Sequence, residues 1–307
     1  MKNRYLALIF AVATLVVTDV VAQQGAVLRV IAKAGQTSLK TGSGAEPIKS
    51  GALLQSTDVV VIGPNSYLSL IPHGKAGKGI ELRNPGSYTV NDLAKGQKDS
   101  PGLVNKYTDF ILASNSPEAK KNRMSATGAV HRGLNDIDVF LPEARTKGNF
   151  VLGNSVVIGW EAKTASAGPY EVKILNLSDD LLARHETSDN KLRVDLPTGE
   201  SFVVIVVTKK GDSRSSSEPF SIQRLDPASP RDKDQTAKLQ NELKELDLNE
   251  ETALNKYILA GFFEEQNLLI DAIVAYEDAI RLAPEVDTYR EAYEEFLLRK
   301  QLKDAKK

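Results

Sequence analysis

The sequence predicts a multidomain chain whose N-terminal two thirds are all β, in two modules, followed by an α-helical C-terminal tail. Three observations carry that expectation. Short runs rich in Val, Ile, Leu and Tyr, broken by Gly, Asn and Pro, fill residues 26–93. About six further runs of the same kind follow between 150 and 226, at the spacing of a β-sandwich. From Pro227 onward the apolar period changes from two to three or four, which is the period of helices.

The N-terminus comes first. Lys2 and Arg4 precede an apolar run from Tyr5 to Val17, and the small residues Val20 and Ala22 stand one position apart before Gln23. That layout predicts a secretory signal peptide over 1–22, because the run is shorter than the roughly 20 residues of a membrane span and Asp19 closes it. The chain has no cysteine, so neither a disulfide nor a lipid on a cysteine is expected. The mature product, 23–307, is expected to be periplasmic or secreted, with no membrane span after cleavage, and to rely on its cores for stability.

A net charge of -1 hides a gradient along the chain. Residues 23–98 carry nine Lys and Arg against four Asp and Glu, a balance of +5; residues 227–307 carry twelve against eighteen, a balance of -6. Ends of opposite sign suit docking between them, although ordinary solvated surfaces are the simpler reading. Basic residues are not dense enough, nor aromatics frequent enough, for a nucleic-acid platform.

In the first module, 23–97, the runs "AVLRVIAKAG", "DVVVIGPNSYLSLIPHG" and "KGIELRNPGSYTVNDL" read as consecutive antiparallel strands. Leu68, Leu70 and Pro72 share one parity and Tyr67, Ser69 and Ile71 the other, which predicts a core on one side. The stretch "SGALLQSTDVVVIGPNSYLSLIPHGKAGKGIELRNPGSYTV", with Gly51, Asp58, Asn65, Ser66, Gly77 and the run Ile80 to Leu82, resembles the exported β-domain of the FecR family. That resemblance implies a small β-domain and, as one functional alternative, a signal-sensing component.

Three glycines and two lysines crowd positions 74–79. A phosphate loop needs such residues at the mouth of a helix, where free N–H groups face the anion, and a Ser or Thr after the lysine. Lys78 is followed instead by Gly79 and a strand pattern. A hairpin connection is therefore predicted, with glycines at positive φ and lysines as solvated charges.

Residues 98–149 are expected to be a connector bracketing the first module. Leu103, Tyr107, Phe110 and Ile111 fall on one face of a short helix after Pro101, after which the periodicity stops, with a strand or two before Pro142.

The second module, 150–226, holds "NSVVIGWEA", "GPYEVKILN", "LLARHETSD", "KLRVDL", "SFVVIVVTKKGDS" and "SSEPFSIQRL". Through Trp160, the run Pro169 to Val172 and the last strand around Phe220, it resembles fibronectin type III and related immunoglobulin-like domains. Trp160 is expected in the core rather than on a sugar-stacking surface.

Four helices are predicted in the tail, 227–307, near 230–246, 250–265, 268–283 and 287–303, with starts at Ser229-Pro230 and at Asn249 to Glu251. The run "LAGFFEEQNLLIDAIVAYEDAIRLAP", with Leu259, Ala260, Phe263, Ala272, Tyr276, Ala279 and Pro284, resembles a tetratricopeptide repeat. One repeat cannot bury its own face, so flanking helices are expected to cap it. In that family the inner face of the first helix takes protein segments, which maps partner binding onto Tyr257, Gly261, Glu264 and Glu265.

Chemistry is not expected. The three histidines, His73, His131 and His185, have no second ligand at metal spacing, no serine lies in a nucleophile elbow, and the acidic pairs Asp179-Asp180 and Glu264-Glu265 read as solvated turn and helix-face charges. The sequence therefore predicts a non-enzymatic protein without cofactor or metal, an adaptor or scaffold of the cell envelope with a protein partner. A glycan-binding protein is the other alternative.

Overall fold

The computed structural model describes residues 26–41, 44–74, 77–95, 102–126, 136–142, 149–162 and 168–303. The expected signal peptide, 1–22, and His131 lie outside the described residues. Among those described, no helix is long and apolar enough to cross a membrane.

The first module contains β1 (Ala26–Ala34), β2 (Thr37–Thr41), β3 (Gly44–Pro47), β4 (Leu53–Gln55), β5 (Val59–Ile62), β6 (Tyr67–Pro72), β7 (Ile80–Leu82), β8 (Gly86–Thr89) and the short helix α1 (Val90–Lys95). Two four-stranded sheets, ordered β4-β1-β6-β7 and β3-β2-β5-β8, enclose Leu28, Val30, Val60, Ile62, Leu68 and Leu70. Alternation explains this: the residues of one parity on β1 and β6 meet those of β5 across the sandwich. The expected one-sided core is corrected, since all six residues of β6 are buried. Tyr67 and Ile71, on the opposite parity, join a second core that runs into the helical tail.

The predicted hairpin is present. β6 pairs antiparallel with β7, Leu68 opposite Leu82 and Leu70 opposite Ile80, and Gly74 has φ +67°. The lysine at 78 is not simply solvated: its Nζ lies 2.6 Å from Asp247. Gly79 is needed for a close approach, because a Cβ there would stand 2.5 Å from Leu254 Cδ2.

Residues 98–149 are more than a connector. Helix α2 (Leu103–Ser114) buries Tyr107 and Ile111 of the expected face, but its inner face turns to Val104 and Thr108, and Leu103 and Phe110 are only partly buried. Helix α3 (Pro117–Ala126), missed by that reading, follows at once. Pro117 occupies its first position and Ser116 Oγ accepts the Ala119 N–H at 3.2 Å, a local start signal independent of apolar period. Strand β9 (Ile137–Val139) then joins the second module.

That module adds β10 (Phe150–Val151), β11 (Ser155–Ala162), β12 (Tyr170–Leu175), β13 (Leu181–Thr187), β14 (Lys191–Asp195), β15 (Phe202–Lys209), β16 (Asp212–Ser216) and β17 (Phe220–Arg224). One sheet runs β10-β17-β15-β12-β13, with β16 also on β15; the other runs β14-β11-β9. Trp160 is fully buried and meets Tyr170 edge-to-face at 5.3 Å, as expected of a core residue.

The tail comprises α4 (Lys233–Leu246), α5 (Ala253–Glu265), α6 (Leu269–Leu282) and α7 (Asp287–Arg299). Two starts shift from the expected positions. Ser229 and Pro230 sit in a turn ahead of α4, and α5 is capped by Thr252, whose side chain accepts the Asn255 N–H. Ala260 and Ala272 are fully buried where α5 and α6 meet, so small side chains let the two helices approach.

The two β modules and the tail share one continuous core, from Ile31 and Tyr67 through Tyr107 and Trp160 to Phe296. The opposite charges of the chain ends are used in this docking: besides Lys78 and Asp247, Arg83 pairs with Glu285 at 3.0 Å and donates to the Leu282 carbonyl at 3.1 Å. These ion pairs are half-exposed and each contributes little; the shared apolar core contributes most.

Candidate functional site

The four residues expected to bind a partner are brought together, but the chain itself covers Tyr257, Gly261 and Glu264, leaving Glu265 exposed. Helix α2 lies on α5 so closely that a Cβ on Gly261 would stand 3.0 Å from the Tyr107 carbonyl oxygen. Tyr107 completes the contact, with its ring 5.1 Å from Phe262 and its hydroxyl donating to Glu242 at 2.8 Å. Glu264 has a fully buried side chain held by Arg299 in two hydrogen bonds, Nε to Oε1 at 3.0 Å and Nη2 to Oε2 at 2.9 Å. The Tyr276 hydroxyl donates to the same carboxylate at 3.1 Å. Arg299 also donates to the Ser114 carbonyl at 3.1 Å, tying α2 to α7. Glu265 pairs with Lys106 of α2 at 3.1 Å. The inner face of α5 is thus closed, a correction to the partner-binding expectation: one helical hairpin leaves an apolar face bare, and α2 fills it.

Of the four, Glu265 stays exposed, and Tyr257, itself buried, borders an open space. Its ring lies 4.9 Å from Tyr289 and 6.1 Å from Tyr276, and burial holds its phenol pKa well above the ordinary value. It lines a cleft of about 500 Å³ where β1 and β4, the α2–α3 junction and α7 converge. The walls are apolar at Ile31, Leu53, Leu112 and Ala292, with Leu53 46% exposed. Polar groups stand at defined points. Arg29 is ion-paired to Asp109 and contacts His73 Nδ1 at 3.2 Å, so β1 and α2 are fixed together beside the cleft. Lys120 and Glu291 face each other at 4.0 Å. Asn115 donates through Nδ2 to the Ile111 carbonyl at 2.7 Å, which leaves its Oδ1 buried without a partner. An unpaired buried acceptor costs about 1–3 kcal/mol.

Sequence reasoning missed Arg29, Leu53, Asn115, Lys120 and Glu291 as a group, because they come from separate elements far apart in the chain. The one local signal was "NSPE", residues 115–118, where a helix ends and the next begins.

The seam between the first module and the tail is closed by a buried polar network. Tyr67 Oη lies 2.7 Å from Tyr289 Oη and 2.7 Å from Glu81 Oε1, and Glu81 Oε1 also accepts the Leu254 N–H at 2.7 Å. That N–H is one of those left free by the first turn of α5, so a strand carboxylate caps the helix. Burial, then the neighbouring Tyr289 and Glu81, raises the Tyr67 pKa far beyond the ordinary range. The described residues hold no cluster of three His, Cys, Asp or Glu side chains that would suit a metal. These geometries suit binding, with each wall of the cleft held rigidly by its own contacts.

No family model matches the chain, and no curated protein does. Among solved structures it has a faint similarity to a β-glucuronidase from Ruminococcus gnavus in complex with D-glucaro-d-lactam, at 11% identity and a TM-score of 0.17. The alignment covers 64% of this chain and 32% of that one, so the chain spans about a third of the enzyme's length. A score that low establishes no common fold.

Proposed function

We propose that this chain is an exported, non-enzymatic adaptor of the cell envelope, periplasmic or secreted, which holds a segment of a partner protein in the cleft between β4, the α2–α3 junction and α7. The observation that carries the reading is the cleft itself: apolar walls and an exposed Leu53 suit an aliphatic side chain, and the charges of Arg29, Lys120 and Glu291 beside them suit the polar groups of a polypeptide segment. The strand order β14-β11-β9 facing β10-β17-β15-β12-β13 supports an immunoglobulin-like reading of the second module. The α5–α6 hairpin with buried Ala260, Ala272 and Tyr276 supports a tetratricopeptide-like one. In this reading the helical tail and the FecR-like first module wall the cleft, and the second module backs them through the shared core.

The test is a photo-crosslinking side chain placed at Leu53 or Lys120 in intact cells, with Leu177 on the far sandwich surface as control. Protein adducts at 53 and 120 that are absent at 177, and that disappear in an Asn115→Leu background, are the expected result. Adducts with cell-wall glycan, or equal capture at all three positions, would overturn the reading.

A further inference from the structure

Strand β13 is the edge of the five-strand run, and among the described residues no strand pairs with its outer side. Such an edge presents free N–H and C=O groups and is a ready template for another strand. The side chains on its solvent face are ordered unusually. Lys173 on β12 lies opposite Arg184 on β13, and Glu171 lies opposite Glu186. Like charges directly opposite each other are unfavourable in a sheet. Here they form one positive row and one negative row, both running out to the open edge. Ion pairs relieve them in part: diagonally from Arg184 to Glu171 at 3.4 Å, along β12 from Lys173 to Glu171 at 3.0 Å, and from Lys210, just past β15, to Glu186 at 2.6 Å. The outer ends of both rows stay open to solvent, with the Arg184 and Glu186 side chains 52% and 50% exposed.

We propose that the open edge of β13 is a self-association surface, on which β13 of a second copy adds antiparallel with His185 at the two-fold axis. In that register Arg184 faces Glu186 of the second copy, and Glu186 faces its Arg184. The positive row, Lys173 and Arg184, then continues into the negative row of the other copy, so the arrangement that is unfavourable within one chain becomes complementary across two. The contact is isologous, as a two-fold requires. The neighbouring same-face registers are rejected by charge: an axis at Arg184 would set arginine on arginine, and one at Glu186 would set glutamate on glutamate. The occupant is a second copy because the charge order along β13, read in reverse, complements itself. This surface is on the sandwich, away from the cleft, so it stands or falls separately from the adaptor reading.

Sedimentation equilibrium of the purified exported chain tests it, comparing the wild type with R184E, E186R and the R184E/E186R double variant. The wild type is expected to show a concentration-dependent dimer, each single variant to weaken it about tenfold, and the double variant to restore it. R184E carries a mismatch with Glu171, E186R one with Lys210, and the double carries both inside one chain, so recovery in the double arises between copies. R184Q and E186Q, which remove charge without reversing it, should weaken the dimer less and serve if a reversal perturbs folding. A wild type that is monomeric at every concentration, a dimer indifferent to the single changes, or a double variant no tighter than the singles would overturn the proposal.

Discussion

The carboxylate of Asp271, in the first turn of α6, accepts the backbone N–H groups of Leu152 and Gly153 at 2.8 Å each. One buried side chain of the tail thereby joins the helical layer to the second β module. Two N–H bonds favour the charged carboxylate, but burial outweighs them and raises the Asp271 pKa to about 6. The folded chain therefore holds this proton more tightly than the unfolded chain does. Stability from this group is full below the ordinary carboxylate pKa and falls as pH rises from about 4 towards 6, by about 2–3 kcal/mol in all. Asp271→Asn cannot titrate, and it sets an amide donor against one of the two N–H groups. Denaturant unfolding should find it less stable than the wild type, with a gap that widens as pH is lowered from 7 to 4.

Removing Glu264 leaves the Arg299 guanidinium in the interior without its counter-charge. Glu264→Ala should cost about 3–5 kcal/mol, the range for breaking a buried pair. Replacing both partners, as Glu264→Met with Arg299→Leu, should recover much of that loss in urea unfolding, because the more deeply held cation goes with its partner and only Lys300, 3.5 Å from Glu264 and 26% exposed, stays charged.

Gly261→Ala sets two effects against each other. Alanine favours the helix by about 1 kcal/mol, but its Cβ meets the Tyr107 carbonyl oxygen, which belongs to the backbone of α2. Overpacking costs about 1–3 kcal/mol and should win. Hydrogen exchange should quicken in α2, over residues 103–114, and hardly change in β11 and β12.

Trp160 is the only tryptophan, and its ring is fully buried. Its emission should be blue-shifted, resistant to acrylamide quenching, and unmoved by cell-wall fragments, which a steady-state titration measures directly.

The local structure was legible where one short stretch carries its own periodicity. The strand β6, the hairpin after Pro72, the helix α2 and the four tail helices follow from residues close together in the chain, whereas the burial of both faces of β6 and the turn of α2 towards Val104 depend on the tail. Helix α3 escaped because its outer surface is charged and its start depends on Ser116 and Pro117 rather than on an apolar stripe. The cleft escaped for a different reason. Arg29, Leu53, Asn115 and Glu291 belong to four segments, and only the shared core brings them together. The repeat-like motif pointed at the correct residues of α5, yet Gly261 and Glu264 are engaged by α2 and Arg299, and no pattern within residues 250–265 could reveal that.

The cleft is walled by the first module, the α2–α3 junction and the tail, and the shared core joins these to the second module, so the chain is expected to unfold as a single unit. Thermal unfolding followed at once by Trp160 emission, which reports the sandwich, and by the far-UV helical signal tests this most directly, in the wild type and in Glu264→Ala. Coincident midpoints that shift down together in the variant are expected. A helical signal that melts earlier in the variant while the Trp160 midpoint stays where it was would contradict it.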